Sequence, residues 1–228
     1  MLTENVPDFI NDGLLDSIVE QLRSPLLTIQ LMLEAGQAED LGIITRSSIQ
    51  LLDDINYVRE LSRNRPTFDL SPINVAVLSD DIAHALSPLA KTRNINIHTK
   101  VACSRPVLAH RHTLLRAYEN LVRGILNATN DSEESTVILT TSKQNHMVRL
   151  GAFSSTANIV AKDLNQMRKI FGLSRRPLSS LSTSSATELY IADKLLSFLG
   201  LQMRTAISSR QHGFAATLNP SNQLSLLS

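Results

Sequence analysis

Apolar positions repeat at helical spacing along the first sixty residues. In residues 14–34, LLDSIVEQLRSPLLTIQLMLE, Leu15, Ile18, Leu22, Ile29 and Met32 share one stripe, with Val19, Leu26 and Leu33 beside it. A stripe of that width is the pattern of a helix packed into a bundle. Pro25 falls on the stripe and lacks a backbone donor, so a kink is expected there. A second helix answers the first. Leu41, Ile44, Leu51, Leu52, Ile55 and Val58 repeat at the same period, and the AGQAED between the two runs allows only a tight antiparallel reversal. Two helices with one-sided stripes leave apolar surface uncovered, and a second copy completing a four-helix bundle is the economical solution. The hairpin ends at Asn64-Arg65-Pro66, because the residue before a proline is driven out of the helical region. That boundary divides the chain into residues 1–65 and 66–228.

Past the proline the period alternates between strand and helix. Phe68 and Leu70 read as a short strand, Val75, Leu78, Ile82 and Leu86 as a helix, and Ile95 with Ile97 as a strand. Residues 111–127 follow as a helix with Leu114, Leu115, Tyr118, Leu121, Val122 and Ile125 on its apolar side. Residues 137–141 and 147–153 form a hairpin around Lys143-Gln144-Asn145. A short helix is expected at 163–171, a serine-rich loop at 172–185, a helix at 187–199, and closing strands at 202–208 and 213–218. Strands and helices mixed with antiparallel hairpins place this part in the α+β class, as an α/β-sandwich.

These patterns carry a resemblance. Glu20-Gln21-Leu22-Arg23-Ser24-Pro25-Leu26 resembles the H-E-L-R-[ST]-P-L motif of sensor histidine kinases, and SSIQLLDDINYVRELSR resembles their second dimerisation helix. The remainder resembles the Bergerat-fold ATPase domain of the same family, through INVAVLSDDIAHALSPLAKTRNINI, HTLLRAYENL and LYIADKLLSFLGLQMRT. The similarity spans about residues 10 to 218.

The resemblance also marks what has changed. It puts Glu20 where the family carries its phosphorylated histidine. Asn120 matches the first asparagine of the family's Asn-box, but the magnesium-binding position is Gly124, which offers a hard cation no oxygen, and the usual lysine is Asn127. The adenine-binding Asp-x-Gly-x-Gly reads Ser154-Ser155-Thr156-Ala157-Asn158, without its carboxylate or glycines. The glycine-rich lid, which should cradle phosphates on backbone N–H groups, reads Ser184-Ser185-Ala186-Thr187-Glu188 and places a negative charge near the phosphate position. Gly213, expected in the last loop, keeps its type. Nucleophile, magnesium ligand, adenine acceptor and phosphate glycines are all absent.

The resemblance therefore implies a catalytically inactive relative that needs no cofactor, binds ATP and Mg²⁺ weakly at most, and works by protein–protein contact. Its implied partners are a second copy of itself and a response-regulator receiver domain or a histidine kinase. On the first helix, Glu20, Ser24, Leu27, Leu31 and Glu34 share a face off the apolar stripe, with Arg23 beside it. That face is the expected docking surface, since two large leucines stand where solvent would be. Glu20 could imitate the charge of a phosphohistidine, or be an ordinary solvated glutamate. Two other functions fit the same losses: a divergent kinase or phosphotransferase with an unconventional acceptor, and a sensor holding a small ligand in a remodelled cavity.

Composition narrows the classes. The 228 residues carry a net charge of +1, with 19% charged and 43% hydrophobic side chains, ordinary for a soluble globular protein. No basic excess points to nucleic acid and no apolar stretch is long enough to cross a membrane. The N-terminus lacks the basic start and apolar core of a signal peptide. Cys103 is the single cysteine, compatible with a reducing cytoplasm. About a dozen residues precede the bundle, so no built-in sensor domain is expected. His110 and His112 could begin a metal site but lack a third ligand nearby in sequence, and a solvated pair is the expectation. His84 and Cys103 read as packing or surface residues, and Arg175 with Arg176 as a solvated pair.

Overall fold

The computed structural model describes residues 29, 31, 38–64, 66–129, 135–157, 183–208 and 210–221. Outside them lie Glu20, Arg23, Ser24, Pro25, Leu27, Glu34 and Asn158, the helix expected at 163–171, and most of the serine-rich stretch.

Helix α1 (Ala38–Asn64) leads into strand β1 (Ser71–Ile73), helix α2 (Val75–Lys91), strands β2 (Asn96–Val101) and β3 (Val107–Ala109), and helix α3 (Arg111–Ala128). Strands β4 (Thr136–Gln144) and β5 (Met147–Ser154), helix α4 (Thr183–Phe198) and strands β6 (Arg204–Ser208) and β7 (Gln211–Leu218) follow. The main sheet runs β2-β4-β5-β7-β6, with β2 and β4 parallel and the other pairs antiparallel. β1 and β3 form a separate antiparallel ribbon. The class is α+β, an α/β-sandwich.

Each element has a local cause. Asn74 caps α2, its Oδ1 accepting from the N–H groups of Ala76 at 3.0 Å and Val77 at 3.4 Å. The buried side of α2 is Val75, Leu78, Ile82, Leu86 and Ala90, the spacing of one helical face. α3 is capped by His110, whose Nδ1 accepts from the Thr113 N–H at 3.4 Å. His110 is thus half-buried and structural rather than solvated, its ring packed 5.0 Å from that of Phe68.

The core lies between the helices and one face of the sheet. Cross-strand partners Leu139 and Ala152, Ala152 and Phe214, Leu150 and Ala216, and Val148 and Leu218 all point into it. Each fully buried Leu or Ile contributes about 1.5–3 kcal/mol relative to exposure. Tyr118 crosses from α3 to the sheet and donates to the Gly151 carbonyl at 3.1 Å.

Three expectations shift. Phe68 and Leu70 form no strand; β1 begins at Ser71. α4 starts at Thr183, four residues early, so the segment from 184 to 188 is helix rather than loop. Gly213 lies inside β7, not in a loop, and a Cβ there would stand 2.0 Å from the Ala152 carbonyl oxygen. Close backbone approach explains that glycine.

The stripe on α1 is unevenly buried. Leu51 and Leu61 are buried in the core, whereas Leu41, Ile44, Leu52, Ile55 and Val58 are only half-buried within one chain.

Candidate functional site

The chemistry-bearing residues gather where α1 crosses α3 and α4. Gln50, Asp54, Tyr57 and Leu61 follow one another at four, three and four residues, so they share a face of α1. Thr113, Arg116, Asn120 and Arg123 do the same on α3. Tyr57 Oη pairs with Thr113 Oγ1 at 2.8 Å, and the Arg116 guanidinium stacks 4.9 Å over the Tyr57 ring. Arg116 Nη1 donates to Asp54 Oδ1 at 2.8 Å, and Asn120 Nδ2 donates to Asp54 Oδ2 at 2.7 Å. Arg123 Nη2 donates to Gln50 Oε1 at 2.5 Å and Glu119 Oε1 at 2.6 Å, and Gln50 Nε2 donates to the same Glu119 oxygen at 2.9 Å.

Asp54 is fully buried. Loss of hydration raises its carboxyl above the ordinary range, outweighing the bond from Asn120 and the charges of Arg116 and Arg123, while Glu119 pushes the same way as burial. Two groups at this junction keep unused valence. Asn120 Oδ1 and the Nε and Nη1 of Arg123 are buried with no hydrogen-bond partner.

Three of the Asn-box positions lie beside this cluster. Asn120 is spent on Asp54 and on the Arg116 carbonyl, which its Nδ2 also reaches at 2.9 Å. At Gly124 the space a longer side chain would need is occupied: a Cβ would stand 2.6 Å from Leu189 Cγ and 2.8 Å from its Cδ2. Asn127 accepts from Arg93 Nη1 at 2.8 Å and donates to Glu188 Oε2 at 2.5 Å.

Glu188 is only 5% exposed. Burial raises its carboxyl to about 7, against the lowering pull of Arg123, Asn127 and Arg93, and Asp54 raises it further. Because α4 already runs through residues 184 to 188, the N–H groups of Thr187 and Glu188 fall past the first helical turn, where the helix itself consumes them.

Ser154 ends β5 and Thr156 follows two residues on. The buried Ser154 Oγ accepts from the N–H groups of Thr156 and Ala157, both at 3.3 Å, and Thr156 Oγ1 meets Ser135 Oγ at 3.2 Å. The serine caps its own turn. Leu31 is helical and 64% exposed; the other residues of the expected docking face lie outside the described residues.

A cavity of about 350 Å³ lies elsewhere, lined by Gln144, Asn145, Met147, Gly200, Leu201, Gln202, Arg204 and Thr217. None of the nucleotide-motif positions contributes to it. Among the described residues, no group of three or more His, Cys, Asp or Glu side chains gathers as a metal site. No described helix is long and apolar enough to cross a membrane.

The sequence put Asn120, Gly124, Asn127, Ser154, Thr156, Asn158 and Glu188 at one site and gave no place in it to Gln50, Asp54, Arg93, Arg116, Glu119 or Arg123. A signal existed for part of it: Asp54 and Gln50 interrupt the apolar run of α1, and Glu119 stands one turn before Arg123.

No family model matches the chain, and no curated protein matches it in sequence. Solved structures do match it in fold. The histidine kinase AdeS of Acinetobacter baumannii superposes with a TM-score of 0.59 at 11% identity, over 88% of this chain and 98% of that one. The catalytic domain of the histidine kinase ThkA matches at TM-score 0.54 and 16% identity, over 67% of this chain and 97% of that domain. ThkA in complex with the response regulator TrrA matches at TM-score 0.59 and 17% identity, over 92% of this chain and 62% of that one. The chain has a core of histidine-kinase-like fold, an α/β-sandwich that follows helix α1.

Proposed function

We propose that this chain is a catalytically inactive, histidine-kinase-like component of two-component signalling. It acts in the cytoplasm as a homodimer by binding a response-regulator receiver domain or a histidine kinase. One observation carries the loss of catalysis: Leu189 fills the space beside Gly124, so the magnesium-binding position lacks both a ligand and room for one. Glu188 supports it, because a buried carboxylate where phosphates would lie repels them whenever it is ionised.

Helix α1 supports the dimer. Its half-buried Leu41, Ile44, Leu52, Ile55 and Val58 leave apolar surface that a single chain does not cover. The receiver as partner is supported by the ThkA–TrrA complex, a kinase of the same fold holding a response regulator. The exposed Leu31 is part of the surface assigned to it.

Capture tests the proposal directly. The purified chain is to retain a receiver domain or kinase from its own cell, and Leu27→Asp with Leu31→Asp is to abolish that retention while the dimer persists. A double variant that binds its client at wild-type affinity contradicts the docking face.

A further inference from the structure

Charge is unevenly spread along this chain. Residues 136–154 and 199–218 carry Lys143, Arg149, Arg204 and Arg210 but no Asp or Glu, so all 21 acidic side chains lie elsewhere. These two stretches are the β4–β5 and β6–β7 hairpins. They meet at one corner of the main sheet, where the turn between β4 and β5 lies beside the end of β7 and the start of β6. The cavity of about 350 Å³ opens at that corner.

Strand alternation fixes the face on which it opens. Val148 and Leu218 enter the core, so Met147, Arg149 and Thr217 stand on the face turned away from the helices. Arg204 pairs with Ala215, two residues before Thr217, and shares that face. Arg149 pairs with Thr217 itself, its guanidinium held 5.6 Å over the Phe153 ring. Among the described residues, neither arginine makes an ion pair.

The cavity wall is rigid for a local reason at each side. Asn145 takes the left-handed conformation, φ 55°, that the β4–β5 turn needs. Gly200, φ 72°, closes α4: its N–H donates to the Ser197 carbonyl at 3.0 Å, and the Leu201 N–H donates to the Leu196 carbonyl at 2.9 Å. Arg204 Nη2 donates to Gln202 Oε1 at 3.1 Å, which tethers the guanidinium at the wall.

We propose that this corner binds a small hydroxylated anion, a hydroxy acid or a sugar phosphate, with its oxyanion on Arg204. An exposed arginine by itself is only solvated. Here a guanidinium, the side-chain amides of Gln144, Asn145 and Gln202, and the Thr217 hydroxyl converge on one concave space that no acid lines. Guanidinium N–H groups suit carboxylate and phosphate oxygens. Amides both donate and accept, which suits hydroxyl groups. The volume lies at the lower end of the roughly 300–1,000 Å³ typical of ligand sites, so a small molecule fits and a folded partner does not. The surrounding positive charge draws anions in. None of this depends on the inactive-kinase reading, because the cavity shares no residue with the nucleotide-motif positions.

Titration of citrate and of glucose 6-phosphate into the ¹⁵N-labelled full chain, at constant ionic strength, tests the site. At least one of them is to shift the amide signals of Asn145, Gly200 and Thr217 along a saturable curve, while those of α2 stay in place. Which one saturates tells a carboxylate ligand from a phosphate. Arg204→Gln is to weaken that binding by at least about tenfold, the loss of one charge-assisted hydrogen bond. Arg59→Gln, the same change of charge on an exposed position of α1, is to bind as the wild type does. No saturable shift from either probe overturns the proposal. So does binding that Arg204→Gln leaves unchanged, or that Arg59→Gln weakens equally.

Discussion

Leu189 stands where a side chain at position 124 would have to go: a Cβ built on Gly124 lies 2.6 Å from its Cγ. Helices α3 and α4 therefore close on each other at the point where the family resemblance places a magnesium ion. Restoring the asparagine does not restore the site, because the room is gone. Gly124→Asn is expected to destabilise the fold by about 1–3 kcal/mol through overpacking. For a chain of this size that is roughly 2–4 °C in Tm for each kcal/mol. Leu189→Ala in the same background should recover part of the loss. A Gly124→Asn chain that melts at the wild-type temperature contradicts this packing.

Asp54 is the keystone of the seam between α1 and α3. Asp54→Ala leaves the buried Asn120 Nδ2 without its carboxylate and Arg116 without its ion pair. A stranded buried partner costs about 1–3 kcal/mol, and the partial exposure of Arg116, 24%, keeps the figure from reaching that of a fully enclosed pair. Chemical denaturation is expected to show the loss as a lower midpoint, with Asp54→Asn milder than Asp54→Ala. Equal effects of the two substitutions would show that side-chain volume, not hydrogen bonding, matters at this position.

Glu188 gives global stability an unusual pH dependence. Its folded value, about 7, lies above the ordinary 4.5, so between those values the native state binds a proton that the unfolded chain does not. Stability then falls as pH rises across that window and levels off above it. Against wild type, Glu188→Gln should show a flatter curve from about pH 4.5 to 7, read by thermal unfolding at closely spaced pH values. An identical slope in the variant would remove Glu188 as the cause.

The proposed dimer rests on the half-buried stripe of α1. Ile55 is half-buried within one chain, and Ile55→Glu would place an unpaired charge in the bundle. Sedimentation is expected to show a dimer for the wild type and a shift toward monomer for the variant, as for Leu22→Glu. A wild-type chain that sediments as a monomer at micromolar concentration contradicts the dimer.

Much of this fold could be read from periodicity. The stripe of Leu114, Tyr118, Leu121 and Ile125 marked α3, and the alternation on either side of residues 143–145 marked the β4–β5 hairpin, because each buries a regular face. The start of α4 could not be read. Its serine-rich first turn looks like loop, and Leu189, the apolar residue beyond that turn, is buried against Gly124 of α3. The same limit applies to the site. The missing motif residues at Gly124, Asn127 and Glu188 were visible one by one. That Leu189 fills the gap, and that Asp54 is buried against Arg116 and Asn120, depends on partners more than sixty residues away.

Calorimetric titration of ATP with Mg²⁺ into the purified chain tests the central claim most directly. The resemblance implies that the adenine carboxylate and the magnesium ligand are both missing, and each such loss costs about 1.5–3 kcal/mol of the roughly 8 kcal/mol that a micromolar site requires. The expected result is no saturable heat up to millimolar nucleotide. Saturable, magnesium-dependent binding in the micromolar range would contradict the account and return the chain to the working kinases.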